Sequence, residues 1–377
     1  NKIVILFKYM KKISISNIPD LSKSIPKLNR LIKTRWISSG GKSVTEFEKL
    51  FSKKIGNKYS VTMSSGTTAL ISAISCLKTK NTKYIALPSL TFGACANAIK
   101  SNNIKPVFID SDQDHWNISL IDLKKKYISY KFKILILVHL NGYSANILKI
   151  KEFCNKNNIK IIEDCAEALF TKFKNKYVGR YGDISTFSFF ANKLITTGEG
   201  GMCSTNIKKL YNKMKISASH GMKPTKKYWH IYEGFNHRMT SLQSTIGITM
   251  LLQVKKFIQS RKFNNSYYLK YFKKKDYFHY IKPYNGDKPV MWYFPFILDD
   301  KYKNKKIKLM NFLEKKNIET RSFFYPLDSM KIFSNKQTCH NANNFSKKGI
   351  YLPIDPTLKV NDLKYICESI NQFFNIK

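Results

Sequence analysis

The sequence is poor in acidic residues and has very little arginine. Its 377 residues include 24 Asp and Glu against 66 Lys and Arg, which gives a formal charge of +42. Arginine occurs only at positions 30, 35, 180, 238, 261 and 321, so nearly all of the positive charge is lysine. Because arginine reads bases and phosphates through paired hydrogen bonds, this composition argues against specific nucleic-acid binding. We interpret the charge as compositional drift with solvated lysine faces, and polyanion binding is the alternative.

Long apolar runs and paired metal-binding motifs are also missing. No apolar run approaches the roughly 20 residues that cross a bilayer, and the opening NKIVILFKYMKK has no small-residue cleavage site, so neither a membrane helix nor a signal peptide is expected. Met10 is followed by KKISISNIPDL, a natural start, so residues 1–9 are interpreted as an upstream extension. The seven cysteines show no CxxC spacing and the seven histidines no HExxH spacing. We therefore expect a reduced, cytoplasmic protein without a metal site.

Largely apolar strands alternate with amphipathic helices from about residue 44 onward. The predicted strands include KYSVTM, KYIALP, IKPVFID, KILILVHL and IKIIED. This alternation is typical of an α/β fold with a mostly parallel sheet that is covered on both faces. In TEFEKLFSKKIG, Thr45 is a predicted helix cap and Gly56 the predicted helix end. We expect a large domain at residues 1–250 and a smaller C-terminal α/β domain at residues 251–377.

The first motif that can carry chemistry is Ser64-Ser65-Gly66-Thr67-Thr68, which follows a predicted strand and opens a helix. Ligands of open α/β sheets bind at the carboxyl ends of the strands, and a helix N-terminus favours an anion. The segment is therefore a candidate phosphate site. A plain serine N-cap with a tight glycine turn is the alternative.

The second motif is IIEDCAEA, in which Glu163 and Asp164 close a predicted strand. A carboxylate at a buried strand end needs a cationic partner, because leaving it unpaired costs several kcal/mol. A protonated pyridine nitrogen is such a partner. Surface carboxylates at a strand exit are the alternative.

The third motif is STFSFFANKLITTGEGGM, in which Lys193 lies between an apolar strand and a glycine-rich turn. Burial lowers the pKa of a lysine and favours the neutral amine that reacts with an aldehyde. A single lysine in such a place is more often structural. An anion site, a carboxylate and a lysine are, however, the three parts that catalysis with pyridoxal 5'-phosphate (PLP) requires.

The order and spacing of these motifs resemble the DegT/DnrJ/EryC1/StrS family of nucleotide-sugar aminotransferases. The resemblance covers nearly the whole chain, through segments such as SSGTTAL, LPSLTFGACANAI, VHLNGYSANI, IIEDCAEAL, FSFFANKLITTGEGGM, EGFNHRMTSLQSTIG and IETRSFFYPL. It implies the fold-type I PLP aminotransferase architecture. It also implies amino transfer from L-glutamate to a nucleotide-linked 4-keto-6-deoxyhexose, as in polysaccharide and O-antigen biosynthesis. WISSGGK, CAEAL and IETRSFFYPL look most similar to the branch that forms GDP-perosamine.

The resemblance also implies roles for residues around the cofactor ring. Lys193 is the implied attachment point of PLP, as a Schiff base, and the base that moves the proton. Asp164 is implied to pair with the pyridine nitrogen, Phe92 to stack on the ring, and Glu167 to lie beside it. A lysine at position 193 is unlike the dehydratase branch of the family, in which histidine replaces it.

Further residues are implied to contact the phosphate and the substrate. Gly66, Thr67 and Ser188 match residues that hold the phosphate. Asn236 matches an asparagine that reaches the phosphate of the other subunit, so a homodimer with shared active sites is implied. The implied substrate contacts are His220, Arg321 and Tyr325.

Three positions depart from the pattern of the family near the expected sugar site. Asn141 stands where an aromatic residue is usual, Asn146 where aspartate is common, and Asp328 where histidine is frequent. These departures affect the choice of substrate and not the cofactor chemistry. A related enzyme that acts on a dTDP- or UDP-linked keto-sugar, and a member that has lost activity and kept a binding or regulatory role, are therefore the alternatives.

Overall fold

The computed structural model describes residues 12–333 and 337–375. Residues 1–9, which are interpreted as an upstream extension, lie outside the described residues. In chain order the strands are β1 (Tyr59–Met63), β2 (Tyr84–Pro88), β3 (Lys105–Ile109), β4 (Ile134–Val138), β5 (Lys160–Asp164), β6 (Lys172–Phe173), β7 (Lys176–Tyr177), β8 (Ile184–Ser188), β9 (Gly201–Thr205), β10 (Phe278–His279), β11 (Asp287–Lys288), β12 (Phe294–Leu298), β13 (Arg321–Ser322) and β14 (Gly349–Leu352).

The α-helices surround these strands. In chain order they are α1 (Ile25–Thr34), α2 (Lys42–Ile55), α3 (Gly66–Leu77), α4 (Ala94–Ser101), α5 (Leu120–Tyr130), α6 (Ile147–Lys156), α7 (Lys208–Ser217), α8 (Ser241–Phe272), α9 (Lys306–Lys315), α10 (His340–Lys348) and α11 (Val360–Asn375). Within the part of the chain that the structure describes, every helix is too short or too polar to cross a membrane.

The main sheet has seven strands in the order β1-β9-β8-β5-β4-β2-β3. Neighbours from β3 to β8 run parallel, whereas β9 runs antiparallel to both β1 and β8. Side chains of β4 alternate between two apolar clusters: Ile134, Ile136 and Val138 face one, and Leu135 and Leu137 face the other. This is why the strand reads as a continuous apolar run. The predicted α/β class with a mostly parallel sheet is confirmed.

Two smaller sheets complete the fold. Strands β10, β12, β14 and β13 form a four-stranded antiparallel sheet, and β11, β6 and β7 form a three-stranded one. Near the N-terminus, Ile13 pairs with Ile318 just before β13. The proposed division at residue 250 falls inside α8, which contacts both α2 and α11, so the two-domain boundary stays a prediction.

Helix α2 shows which local signals hold. Gly56 ends the helix in the left-handed conformation at φ 81°, as predicted. The prediction of Thr45 as the cap is wrong, because the N-cap is Gly41 and Thr45 lies one turn inside, where its hydroxyl donates to the Lys42 carbonyl. Gly41 lies so close to Ser241 that a Cβ there would be 2.2 Å from its hydroxyl oxygen, so tertiary packing with α8 sets this helix start.

Glu163 links the end of β5 to the loop before β8. Its carboxylate is fully buried and accepts hydrogen bonds from the backbone N–H groups of Gly179, Tyr181 and Gly182, at 2.7, 2.6 and 2.5 Å. The Nε2 atom of His139 lies 3.1 Å from the same carboxylate. Although burial favours the neutral acid, these hydrogen bonds lower the pKa of Glu163. The carboxylate therefore fixes the backbone that leads into the site strand β8.

Candidate active site

A cavity of about 390 Å³ lies at the carboxyl ends of the parallel strands. Its wall includes residues that follow β1 and β2 and the last residues of β4, β5 and β8. Such an edge is where open α/β sheets bind their ligands. The sequence-predicted residues on this wall are Gly66, Thr67, Phe92, Asp164, Glu167, Ser188, Lys193 and Arg321. The structure therefore brings together residues that are far apart in the sequence.

One end of the cavity is formed by the N-terminus of α3. Ser65 caps this helix: its hydroxyl accepts from the Thr68 N–H at 3.1 Å, and its own N–H donates to the Thr68 hydroxyl at 3.0 Å. The first N–H groups of a helix have no intrahelical partner, and this box does not use those of Gly66 and Thr67. A Cβ at position 66 would lie 2.8 Å from the Cβ of Ser188, so only glycine allows β8 this close. The serine N-cap is therefore present, and because the capped helix leaves the N–H groups of Gly66 and Thr67 without an intrahelical partner, the phosphate site stays a prediction.

Asp164 lies on the cavity wall with 6% of its surface exposed. Its Oδ1 accepts from the Ala166 N–H at 3.0 Å, and its Oδ2 lies 3.2 Å from the Cys95 thiol. Burial raises the pKa of Asp164, and these two hydrogen bonds together with the charge of Lys193 oppose the rise. The prediction that Glu163 and Asp164 are buried is confirmed, and the alternative of two surface carboxylates is wrong.

Lys193 and Glu167 both lie on the wall, and each influences the charge of the other. Burial lowers the pKa of the Lys193 amine, while the carboxylates of Glu167 and Asp164 favour its charged form. Burial raises the pKa of Glu167 to about 7, although Lys193 and a hydrogen bond of 2.7 Å from the Asn141 N–H oppose the rise. The amine is therefore held closer to neutrality than an exposed lysine, as reaction with an aldehyde requires.

Trp292 and its support are site features that the sequence patterns do not reveal. The Lys193 Nζ lies 4.2 Å from the centre of the Trp292 ring. The indole N–H donates to the carbonyl of Asn192 at 3.3 Å. The guanidinium of Arg261, which is 3% exposed, donates to the carbonyls of Met291 and Trp292 at 2.7 and 2.8 Å. Arg261 of α8 thus holds the backbone at Trp292, and the bond from the indole to Asn192 links residues 100 apart in the sequence. No local sequence pattern predicts either contact.

Aromatic side chains form the outer wall of the cavity. Phe92 is 63% exposed, and its ring centre lies 5.9 Å from that of Phe324, which in turn stacks on Trp292 at 5.9 Å. The guanidinium carbon of Arg321 lies 5.9 Å from the centre of the Tyr293 ring. An exposed aromatic face and a cation therefore border the same opening.

Three predicted residues lie outside this cavity. Asn236 accepts a hydrogen bond of 3.0 Å from the Arg238 side chain, and another nitrogen of Arg238 lies 3.4 Å from the His220 Nε2. Asn236 also pairs with Ser219 in an isolated β-bridge. Tyr325 is 67% exposed and lies beyond the cavity wall. Within one chain, these residues do not reach the cavity.

Two of the three departures from the family pattern, Asn141 and Asp328, are buried, whereas Asn146 is half-buried at the N-cap of α6. Asn141 is fully buried with a backbone φ of 60°, and its N–H donates to Glu167. Asp328 is 5% exposed, accepts a hydrogen bond from the Ser89 hydroxyl, and accepts another of 3.0 Å from the Cys339 N–H. Asp328 thus joins the segment after β13 to the end of β2 and is absent from the cavity wall. The expectation that it lies near the approaching substrate stays a prediction.

The residues on the wall fit PLP. A helix N-terminus with a glycine-only approach suits a phosphate, a buried carboxylate suits a protonated ring nitrogen, and a buried amine suits an aldehyde. The clearest sign of this fit is Asp164. Among the described residues, its buried carboxylate accepts hydrogen bonds only from neutral groups, the Ala166 N–H and the Cys95 thiol, so a cationic ligand can still pair with it.

Comparison with known proteins gives the class. The chain belongs to the DegT/DnrJ/EryC1/StrS aminotransferase family, whose model matches residues 20–371. It is 38% identical over 352 residues to the GDP-perosamine synthase of Escherichia coli O157:H7, covering 93% of this chain and 95% of that protein. It is 35% identical over 351 residues to the GDP-perosamine synthase of Vibrio cholerae, covering 92% and 95%.

A solved structure agrees with this assignment. Helicobacter pylori PseC, an aminotransferase involved in the biosynthesis of pseudoaminic acid, superposes with a TM-score of 0.91 at 26% identity over 97% of this chain and 99% of that one. The predictions of a sugar aminotransferase and of PLP as its cofactor are confirmed. The roles of the single residues stay predictions.

Replacement of Glu167 by glutamine is expected to change how stability depends on pH. Burial raises the pKa of Glu167 to about 7 in the folded protein. The folded state therefore holds this proton more tightly than the unfolded state does, and the folded protein loses stability as pH rises from the ordinary pKa of a glutamate toward 7. Relative to the native protein, Glu167→Gln should gain roughly 2–3 kcal/mol of unfolding free energy between pH 4 and pH 8. Urea unfolding of the cofactor-free proteins measures this.

The exposed Glu46→Gln is the matched control and should give a curve parallel to that of the native protein. A Glu167→Gln curve that is also parallel would contradict the account of a carboxyl that titrates near neutral pH.

Proposed function

We propose that this protein transfers the amino group of L-glutamate to a GDP-linked 4-keto-6-deoxyhexose, in the manner of a GDP-perosamine synthase. The observation that supports it most is the meeting of Lys193, two buried carboxylates and the α3 N-terminus in one cavity. The similarity of 38% to a GDP-perosamine synthase supports the sugar and the nucleotide. The presence of the lysine speaks against a member that has lost its activity.

The residues of the chain have separate tasks in this proposal. When bound, PLP supplies the electron sink that makes a proton beside the amino group removable. The N–H groups of Gly66 and Thr67 and the hydroxyl of Ser188 hold the phosphate. The carboxylate of Asp164 holds the proton on the ring nitrogen. Lys193 would hold the cofactor covalently through Nζ, and once the incoming substrate amine has displaced it, the same atom would be a neutral amine that can take up and return the proton.

The remaining residues orient these groups. Glu167 interacts electrostatically with Lys193: when the Glu167 carboxyl is ionised, it favours the ammonium form of Lys193. The ring of Phe92 provides an exposed face for the cofactor ring, and Arg321 provides a cation for an anionic substrate. The packed aromatic wall excludes water, which strengthens the electrostatic interactions of the site.

A panel of sugar nucleotides tests the proposed substrate. The purified protein is incubated with PLP, 15N-labelled L-glutamate and a GDP-, dTDP- or UDP-linked 4-keto-6-deoxyhexose. The masses of the products are then measured by mass spectrometry. We expect the GDP-linked sugar to gain a 15N-amino group fastest. Lys193→Ala is the control and should give no product while its thermal unfolding stays cooperative.

Two results would count against the proposal. Faster transfer to a dTDP- or UDP-linked sugar would overturn the GDP assignment alone. No transfer to any sugar, from a protein shown to hold PLP, would overturn the aminotransferase reaction proposed for this site.

We also propose a homodimer in which each subunit completes the site of the other. Asn236 and His220 lie outside the cavity of their own chain and so are free to serve a second one. The preceding loop exposes apolar side chains that a partner would cover: Tyr228 (85%), Trp229 (55%), Ile231 (42%), Tyr232 (45%) and Phe235 (58%). Exposed apolar groups that cluster in this way mark protein interfaces.

The seven cysteines are all free and buried, which supports action in the cytoplasm.

Mixing two inactive variants tests the shared site. In a heterodimer of Lys193→Ala with Asn236→Ala, one site carries both lesions and the other carries neither. We therefore expect about half of the native activity from differently tagged, purified heterodimers, although each homodimer is impaired. Activity no higher than that of the Asn236→Ala homodimer would mean that Asn236 acts within its own subunit.

A further inference from the structure

The carboxylate of Asp164 has a hydrogen-bond donor on each of its oxygens, and the two donors come from different elements. The Ala166 N–H, from the turn that follows β5, contacts Oδ1 at 3.0 Å. The Cys95 thiol, from the first turn of α4, contacts Oδ2 at 3.2 Å. The plane of the carboxylate is therefore set by two points, of which one is a side chain 69 residues away.

Cys95 is placed to act as a donor and not as a nucleophile. It is 1% exposed, and burial together with the negative charge of Asp164 raises the pKa of its thiol well above the ordinary value. The thiol thus keeps its proton and donates a hydrogen bond to the carboxylate. Hydrogen bonds to a charged group are stronger than neutral ones, and a buried carboxylate that loses one bears a larger desolvation cost.

The same cysteine joins two parts of the cavity wall. Cys95 is the second residue of α4, and Phe92 lies three residues before it in the segment that follows β2. The hydroxyl of Thr91 is 3.9 Å from the thiol sulfur. A bond from Cys95 to Asp164 therefore fixes the start of α4, and with it the Phe92 segment, against the end of β5.

We propose that Cys95 is a positioning residue, which orients the carboxylate of Asp164 toward the ring nitrogen of the cofactor. The inference rests on the proposed function, because it requires that Asp164 pairs with this nitrogen. It goes beyond that proposal in assigning a task to the buried thiol of Cys95, whose hydrogen-bond partners are Asp164 and Thr91. A serine hydroxyl is shorter than the thiol but keeps a donor, whereas alanine removes it.

A pair of cofactors separates orientation from general packing. PLP and 1-deazapyridoxal 5'-phosphate, which has a C–H in place of the ring nitrogen, carry the same aldehyde and phosphate. Their dissociation constants are measured by absorbance titration of the cofactor-free native protein, Cys95→Ala, Cys95→Ser and Cys154→Ala. Cys154 is the matched control, because it is fully buried but belongs to α6 and does not contact Asp164.

The expected result is selective for the nitrogen. Cys95→Ala should bind PLP about tenfold more weakly than the native protein, as expected for one hydrogen bond to a charged group, and should bind the deaza compound equally well. Cys95→Ser should recover PLP affinity to within about threefold. Cys154→Ala should bind both compounds as the native protein does.

Each other result has a distinct meaning. If Cys95→Ala loses the same factor for both compounds, or loses none, the positioning role is overturned while the proposed function stands. If the native protein itself binds both compounds equally, Asp164 does not pair with the nitrogen, and that part of the proposed function falls together with this inference. Thermal unfolding of every variant confirms that the compared proteins are folded.

Discussion

The burial of three ionisable side chains around one cavity is the constraint on which the rest of the structure depends. Burial raises the pKa of Asp164 and Glu167 and lowers that of Lys193, so it favours the neutral form of each group. Each charge is in turn stabilised by the opposite charges nearby. Such groups are tolerated only where the surrounding backbone and side chains hold them within reach of one another. The end of β5, the loop after β8 and the segment before β12 converge on the cavity and meet this requirement.

The alternation of side chains along β5 separates two neighbouring carboxylates that have different tasks. Glu163 points into the interior, where three backbone N–H groups and His139 satisfy it completely. Asp164 points into the cavity, where only the Ala166 N–H and the Cys95 thiol contact it. One acid therefore stabilises the fold at neutral pH, and its neighbour remains available to a cationic ligand. Adjacent residues of a strand face opposite sides, and this difference in environment follows directly from that geometry.

The elements that carry the site were predictable from the sequence, because they have strong local signals. β4 is a continuous apolar run, Gly56 ends α2, and Ser65 caps α3. Lys193 and Asp164 stand out as charged groups beside apolar strands. The start of α2 was not predictable, since contact of Gly41 with Ser241 and not a capping hydroxyl determines it.

Long-range contacts within the site were likewise hidden. The support of Lys193 by Trp292, and of Trp292 by Arg261, joins three segments that lie far apart in the chain. The thiol of Cys95 reads from the sequence as an ordinary buried cysteine, and only the structure shows Asp164 beside it. The burial of Asp328 with Ser89 and Cys339 also depends on packing between distant segments. Spacing along the chain carries no information on such pairs.

The central claim is that Lys193, among the many lysines of this chain, is the one that binds the cofactor. Borohydride reduction of the protein loaded with PLP, followed by proteolysis and peptide mass spectrometry, tests it most directly. We expect one modified peptide, containing Lys193, with the reduced cofactor on that residue. Stoichiometric modification of a different lysine would show that Lys193 is not the attachment point.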